Sequence, residues 1–320
     1  MEETFQIFNH FVWGFWPGIF VVFGVGFFVG LLASFLGLGG GFIYTPFFHS
    51  FFHLTAVQAV AVSLAQMPVS ALSGLYVYFK NDKIRWKQGF LLLITSIPTA
   101  QYAALAFGRF EDTTLGKQLY YGIPLSEFVY LILFTIFLGI LAVYNLFSAF
   151  KKRKLYFQNL SLENQNHVVT QEDTQSRADS KTNQTSVSHS IPEFHFTNRS
   201  VLIVLIVGIF FGLFSSLFGI GGGFLAVPLF IYYFRMSPVE AVATSFLGIF
   251  LTSFGTTVQF LILGKLHWEL ALIGSFGGIF GARIGSLKAV KAKPYTILFV
   301  TSFFQFLVVT WYLMMKLPKF

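Results

Sequence analysis

Two related segments decide the fold of this chain, GLLASFLGLGGGFIYTPFF at 30–48 and GLFSSLFGIGGGFLAVPLF at 212–230. Each contains the string G-x-G-G-G, which predicts an interruption, because each glycine costs a helix roughly 1 kcal/mol relative to alanine. Pro46 and Pro228 follow the glycines and suit the first turns of a new helix. Each segment is therefore predicted to be a helix, a glycine break and a second short helix, which together form a re-entrant hairpin.

The similarity between the two segments extends beyond the glycines. An ungapped alignment of 30–101 with 212–283 pairs 20 identical residues over 72 positions. The identical pairs include Pro46 with Pro228, Ser63 with Ser245, and Trp86 with Trp268. Internal repeats of this kind build secondary transporters, whose substrate site lies where the repeats meet. The chain is therefore predicted to contain two homologous transmembrane repeats, at 1–150 and 200–320.

Apolar runs long enough to cross a bilayer recur along both halves. A spanning helix needs about 20 apolar residues, and 55% of the 320 residues are hydrophobic whereas only 11% are charged. Two apolar pieces, 42–52 and 224–234, are too short to span alone. The predicted fold class is an all-α polytopic membrane protein with about eight full spans and two short re-entrant segments at the glycine-rich breaks. The predicted spans lie at 18–36, 56–79, 89–107, 128–150, 201–218, 241–263, 270–287 and 295–315.

A polar stretch at 151–199 separates the two apolar blocks. It is rich in Asn, Gln, Ser and Thr, and it is predicted to be a flexible linker. The stretch begins with KKRK at 151–154, and two more basic clusters lie at 80–87 and 288–293. Because cytoplasmic loops collect Lys and Arg, the clusters and the linker are predicted to be cytoplasmic. The net charge of +8 therefore indicates topology and not a nucleic-acid partner.

The orientation of the two halves depends on how each glycine hairpin is counted. If each hairpin returns to its starting side, each half crosses an odd number of times, and the halves are inverted about an axis in the membrane plane. If each hairpin counts as one crossing, the halves are parallel and the basic cluster at 288–293 faces outward. The charge rule favours inversion.

A candidate substrate site follows from the breaks and from polar residues on neighbouring spans. A glycine break exposes backbone N–H groups at the start of a helix, which is a ready anion site, although close helix packing also explains such glycines. Arg283 lies inside an apolar run, where an ionisable residue indicates either function or snorkelling to the headgroups. Arginine also suits the binding of an oxyanion. The substrate-binding candidates are Gly37, Gly39, Gly40, Gly41, Ser63, Gln66, Gln101, Gly219, Gly221, Gly222, Gly223, Thr244, Ser245 and Arg283.

The sequence shows no recognisable catalytic or metal-binding motif. It contains no cysteine, and its spans contain no paired aspartates and no common hydrolase motif. His49 and His53 have the i, i+4 spacing of a metal pair, but no acidic residue lies nearby in sequence, which favours an interfacial pair instead. The chain is therefore predicted not to be an enzyme and to need no metal or cofactor.

At these motifs the sequence resembles a known family. The paired GLGGGFIYTP and GIGGGFLAVP segments, with AVATS at 241–245 and GARIG at 281–285, are similar to the TauE/SafE family of sulfite and organosulfonate exporters. The resemblance covers both apolar halves and implies a bacterial or archaeal inner-membrane carrier that moves small sulfur-containing anions, commonly outward. Among side chains, the family pattern carries over to Thr244, Ser245 and Arg283.

The first half departs from the family pattern at Val62-Ser63 and at PTAQ (98–101), so the resemblance implies a second half that is richer in anion ligands. The predicted function is a secondary transporter, an exporter, of a small sulfur oxyanion such as sulfite or a short organosulfonate. An anion channel of the same architecture and a non-transporting membrane scaffold subunit are the alternatives. The predicted partners are a small anionic substrate and the lipid bilayer. A coupling ion, H⁺ or Na⁺, and a homo-oligomer are left open.

Overall fold

The protein, seen here in a computed structural model, is an all-α membrane protein. The structure describes residues 15–37, 39–120, 122–174, 198–292 and 294–316. In chain order its helices are α1 (Phe15–Leu36), α2 (Gly41–Phe51), α3 (Ala56–Lys80), α4 (Trp86–Asp112), α5 (Thr114–Lys117), α6 (Leu125–Thr174), α7 (Asn198–Phe218), α8 (Gly223–Tyr232), α9 (Pro238–Ile262), α10 (Trp268–Lys291) and α11 (Pro294–Lys316). One two-stranded antiparallel hairpin, β1 (Leu119–Tyr120) and β2 (Ile123–Pro124), precedes α6.

Seven of the described helices are long and apolar enough to cross a membrane, namely α1, α3, α4, α6, α7, α9 and α10. The predicted run at 295–315 falls within α11, whose apolar part Phe299–Met314 is shorter. The count of eight full spans therefore stays a prediction. The short helices α2 and α8 begin immediately after the glycine strings, where the sequence predicts them. The predicted membrane fold class is thus confirmed.

The two halves begin their helices at corresponding positions. In the alignment of 30–101 with 212–283, the starts of α2, α3 and α4 fall on the starts of α8, α9 and α10. Both α3 and α9 begin with a capping box, Thr55 with Gln58 and Ser237 with Glu240, which satisfies backbone donors at the helix start. The helix boundaries therefore follow the pattern of the sequence alignment.

Glycine contacts between helices fix their relative directions. Gly26 of α1 faces the backbone of Gly274 in α10, and Gly30, one turn later, faces Gly278. The two helices therefore run parallel, and small residues let their backbones approach closely. The same progression relates α4 and α7, where Gly208 faces the carbonyl of Leu92 and Gly212 faces the carbonyl of Ser96.

Further contacts place the helices in two opposed sets. Gln66 and Ser70 of α3 lie against Gly274 and Gly278 of α10, one turn apart in each helix, so that α1, α3 and α10 share one direction. Gly89 of α4 lies against Leu247 of α9, and Ser96 contacts Thr252 at 3.1 Å, so that α4, α7 and α9 share the other direction. The turn at 81–85 reverses the chain between α3 and α4. Corresponding helices of the two halves thus run antiparallel, as in an inverted pair of repeats, while their origin by duplication stays a prediction.

Helices α6 and α11 form an antiparallel pair beside this core. The ring centroids of Phe134 and Tyr312 lie 5.6 Å apart near one end, and Asn145 donates to Gln305 at 3.0 Å further along. Helix α6 continues beyond the predicted linker boundary at residue 151 as far as Thr174. No Gly or Pro in 151–174 interrupts the helix. Residues 175–197 lie outside the described residues, so the flexibility and location of the linker stay predictions.

Basic residues concentrate at one face of the bundle. Lys80 at the end of α3 and Lys288 and Lys291 at the end of α10 lie at the same face, because α3 and α10 run parallel. The KKRK segment at 151–154 lies within α6 at this face as well, because Phe150 packs on Phe299 near the start of α11, just after the end of α10. Acidic residues Glu111 and Asp112 end α4 at the opposite face.

Candidate functional site

Both glycine breaks use backbone conformations that favour glycine. The φ angles of Gly37 and Gly39 are 72° and 83°, and those of Gly219 and Gly221 are 69° and 87°. A side chain in this left-handed region is strained, whereas glycine adopts it readily. The breaks differ at one position, since Gly222 also has a positive φ of 73° but the aligned Gly40 has a φ of −89°.

The two breaks lie against each other in the centre of the bundle. A Cβ on Gly41 would overlap the carbonyl oxygen of Gly219, and a Cβ on Gly223 would overlap that of Gly37. Because these contacts pair the end of one break with the start of the other, the two segments run antiparallel. Direct backbone contact of this kind requires glycine on both sides.

The breaks also carry backbone donors that no helix uses. Among the described residues, no backbone hydrogen bond is donated by the amides of Gly39, Gly40, Gly221 and Gly222. Each break ends at the N-terminus of a short helix, α2 or α8, where the helix dipole favours negative charge. Unpaired N–H groups at helix N-termini bind small anions such as sulfate or carboxylate. The centre of the bundle therefore has the chemistry of an anion site supplied from both halves.

Two serines brace the breaks symmetrically. Ser63 of α3 donates to the carbonyl of Gly219 at 3.1 Å, and the aligned Ser245 of α9 donates to the carbonyl of Gly37 at 3.1 Å. Thr45 of α2 adds a hydrogen bond to the carbonyl of Phe218 at 3.2 Å. Each hydroxyl therefore holds one half's break against the other half. In this arrangement the serines position the glycine backbone.

Gln66 is the predicted site residue with the most unusual environment. Its side chain is fully buried on α3 against Gly274, and neither of its amide atoms has a hydrogen-bond partner among the described residues. A buried polar group without a partner costs about 1–3 kcal/mol. The next residue, Met67, packs on Gly41 and Gly221 of the two breaks. Among the described residues, Gln66 is therefore an unsatisfied donor and acceptor. It is adjacent in sequence to Met67, which packs on the breaks.

The space beside the first break is small. A cavity of about 20 Å³ is bordered by Gly39, Gly40, Tyr44, Met67 and Ser70. This volume holds roughly one water molecule, which is less than a sulfur oxyanion occupies. The described cavity beside the first break is therefore too small for such an anion.

Three predicted site residues do not join the breaks. The Thr244 hydroxyl accepts a hydrogen bond from the backbone amide of Arg85 at 3.0 Å and so ties the residue before α4 to α9. Gln101 and Arg283 have exposed side chains on α4 and α10. Arg283 lies near Tyr76. The Nζ of Lys80 lies over the ring of Tyr76, 4.9 Å from its centroid. This position near the basic face matches the snorkelling interpretation of Arg283.

A second buried polar cluster escaped the sequence analysis. The Nε2 of His49 lies 2.9 Å from Oε2 of Glu127, and its Nδ1 lies 2.6 Å from the hydroxyl of Tyr312. The sequence interpretation of His49 as an interfacial residue rested on the lack of a nearby acidic residue. Glu127 is distant in sequence and meets His49 only through packing of α6 on α2, so no local signal marks the pair. No cluster of three or more His, Cys, Asp or Glu suited to a metal occurs in the described ranges.

Comparisons with known proteins point to one family. A family model described as Sulfite exporter TauE/SafE matches residues 22–312. The probable membrane transporter protein YunE of Bacillus subtilis is 27% identical over 283 residues, which cover 86% of this chain and 90% of that protein. A probable membrane transporter protein of Methanocaldococcus jannaschii is 24% identical over 285 residues, covering 84% of this chain and 86% of that protein. One from Xylella fastidiosa is 39% identical over 87 residues, covering 27% and 33%. No solved structure matches the chain significantly.

Proposed function

Because this membrane transporter belongs to the sulfite exporter TauE/SafE family, we propose that it is a secondary transporter of a small sulfur oxyanion, such as sulfite or a short organosulfonate. The observation that carries the proposal is the paired glycine breaks. Their unbonded amides at Gly39, Gly40, Gly221 and Gly222 would replace the hydration shell of an anion at the middle of the bundle. Gln66 would add an amide donor to the same region.

The narrow space beside the first break supports a carrier over an open channel. The described cavity there, of about 20 Å³, is too small for a sulfur oxyanion, so passage by this route requires the two breaks to move apart. The opposed directions of corresponding helices suit rocking of one half against the other around a fixed central site. Alternating exposure of the breaks to the two faces then moves one anion per cycle.

The orientation and direction of transport follow from charge. The face that carries Lys80, Lys288 and Lys291 lies in the cytoplasm, because cytoplasmic segments collect Lys and Arg. The protein thus sits in the cytoplasmic membrane with its linker inside the cell. A potential that is negative inside favours anion efflux by about 2.3 kcal/mol per charge per 100 mV. Export therefore needs no ATP.

The test is flux of sulfite into proteoliposomes under a set membrane potential. Sulfoacetate, taurine, sulfate and phosphate serve as competitors, and empty liposomes report leakage. We expect saturable sulfite flux that short sulfonates inhibit more strongly than phosphate does. Flux that rises linearly with sulfite concentration would favour a channel. If folded protein moves none of these anions, the proposed substrate class is wrong.

A further inference from the structure

A titratable cluster lies buried where α2, α6 and α11 meet. The side chains of His49 and Glu127 are 7% and 14% exposed, and Tyr312 is 1% exposed. The imidazole bridges the carboxylate at 2.9 Å and the phenol at 2.6 Å. The other carboxylate oxygen, Oε1 of Glu127, accepts a hydrogen bond from the amide of Ala56 at 2.6 Å. Burying ionisable groups is costly unless they are paired.

The cluster connects directly to the paired breaks. His49 stands on α2, the short helix that begins at Gly41 next to the first break. The helical rise places it about 12 Å along the axis from that start. Its partners Glu127 and Tyr312 belong to the α6 and α11 pair, which lies beside the core. The aligned position in the second half is Ile231, so one half alone carries this device.

We propose that His49, Glu127 and Tyr312 form a proton-binding site linked to the central anion site, so that a proton and the anion are carried together. This inference rests on the proposed transport function. It adds a co-substrate, the proton, to a site that would otherwise move an anion alone.

The chemistry of the pair supports one exchangeable proton. In one tautomer, Nδ1 of the neutral imidazole accepts from the Tyr312 hydroxyl while Nε2 lies beside the Glu127 carboxylate, and this state of the pair carries one negative charge. A proton added at Nδ1 converts the pair to imidazolium and carboxylate, with no net charge. Histidine is the side chain that ordinarily titrates near neutral pH. Glu127, the more exposed partner, gives the proton a route to the face where α6 begins.

Two tyrosine rings and one backbone amide contact the pair. From α6, Tyr130 faces the imidazole with ring centroids 6.2 Å apart, and from α11, Tyr312 does so at 5.8 Å. The helix α3 contributes the backbone amide of Ala56. A change in the protonation of the pair therefore changes by one unit the local charge that an anion at the breaks experiences.

Proton binding should strengthen anion binding. Two unit charges about 12 Å apart, at an effective dielectric constant of about 20, change each other's binding by about tenfold. The deprotonated pair repels the anion and the protonated pair does not. Binding is reciprocal, so that the anion in turn promotes proton uptake.

The experiment measures proton and anion movement together in sulfite-loaded proteoliposomes that contain a pH-sensitive dye. Because sulfite itself binds protons, the signal is the difference between wild type and Glu127→Gln, which keeps an acceptor for the Ala56 amide. We expect the wild type to move more protons with sulfite than the variant does. We also expect it to bind sulfite about tenfold more tightly at acid pH than at alkaline pH, after correction for the protonation of sulfite itself. Glu127→Gln removes the carboxylate that stabilises the imidazolium, so proton movement should fall and the gain in sulfite binding should shift to lower pH.

The matched control is His53→Asn, one turn from His49 and exposed, where φ is 52° and asparagine tolerates that conformation. This variant should retain proton movement. Sulfite flux without extra protons in wild type overturns the proton site and leaves the transport proposal intact. Equal proton movement in wild type and Glu127→Gln has the same consequence. Absence of sulfite flux in wild type overturns both proposals.

Discussion

At the scale of single residues, glycine has two separate roles in this protein. Gly37, Gly39, Gly219 and Gly221 hold backbone angles that side chains avoid. Gly41 instead has helical geometry but touches the backbone of the other half. The sequence identified both kinds as a break, because four glycines in five residues disfavour a helix. It could not separate them, since backbone angle and contact both depend on the opposing segment.

Gly41→Ala should impair both packing and transport. The added methyl group would overlap the Gly219 carbonyl, and overpacking of this kind typically costs 1–3 kcal/mol. The overlap would prevent the paired arrangement of the breaks, which is one of the two states between which the carrier must alternate, so sulfite flux should fall strongly and the melting temperature should drop. The control is Gly139→Ala on α6, where a Cβ has nothing within 4 Å. Equal flux in the two variants would contradict close pairing of the breaks as a requirement for transport.

Gln66→Leu should stabilise the protein while weakening transport. The substitution removes a buried amide that has no partner among the described residues, and such a group costs about 1–3 kcal/mol. Thermal unfolding in detergent should therefore shift upward, whereas the Michaelis constant for sulfite should rise. Gln118→Leu, at an exposed position, controls for the chemical change. A variant that is less stable and transports normally would show that Gln66 is only structural.

At the scale of helices, the sequence predicted where each helix lies in the chain, but it did not predict which helices pack against each other. It placed α2 and α8 behind the glycine strings and the long spans in their apolar runs, because local composition decides these features. It did not predict that α1 packs on α10 and α4 on α7, since which surfaces meet depends on distant segments. The sequence also did not predict that α6 extends to Thr174, because the polar composition from residue 151 onward indicates a flexible linker.

Lys265 in the turn between α9 and α10 ties that turn to the end of α4. Its Nζ lies 2.8 Å from carboxylate oxygens of both Glu111 and Asp112. Burial lowers the pKa of Lys265, but the hydrogen bonds and charges of Asp112 and Glu111 outweigh burial and raise its pKa above the ordinary lysine value of 10.5. The resulting stabilisation is fully present below that ordinary pKa and is lost as the pH rises through the raised value.

Lys265→Met should lower the free energy of unfolding by roughly 1–3 kcal/mol at neutral pH. The difference from wild type should stay constant through mildly alkaline pH and shrink only at strongly alkaline pH. Melting temperatures across a pH series measure this, with Lys117→Met at an exposed site as the control. A difference that vanished already near neutral pH would contradict the ion pairs.

At the scale of the whole molecule, the opposed helix directions and the basic face define a topology. The chain contains no cysteine, so single cysteines report accessibility without background. In intact cells, an impermeant thiol reagent should label Lys117→Cys, next to the hairpin, but Asn81→Cys only after the cells are opened. Labelling of both positions from outside would contradict the arrangement. Failure of both to react in opened cells would show that the positions are not exposed.

The sequence by itself determined the membrane fold class, the positions of the helices and the two breaks, because apolar run length and glycine content act locally. It also selected Ser63, Ser245 and Gln66, whose polarity is conspicuous among apolar neighbours. Only the tertiary structure decided that the breaks pair antiparallel, that Arg283 faces outward, and that His49 meets Glu127 and Tyr312. These outcomes depend on close packing between segments far apart in the chain, and no local pattern records such contacts.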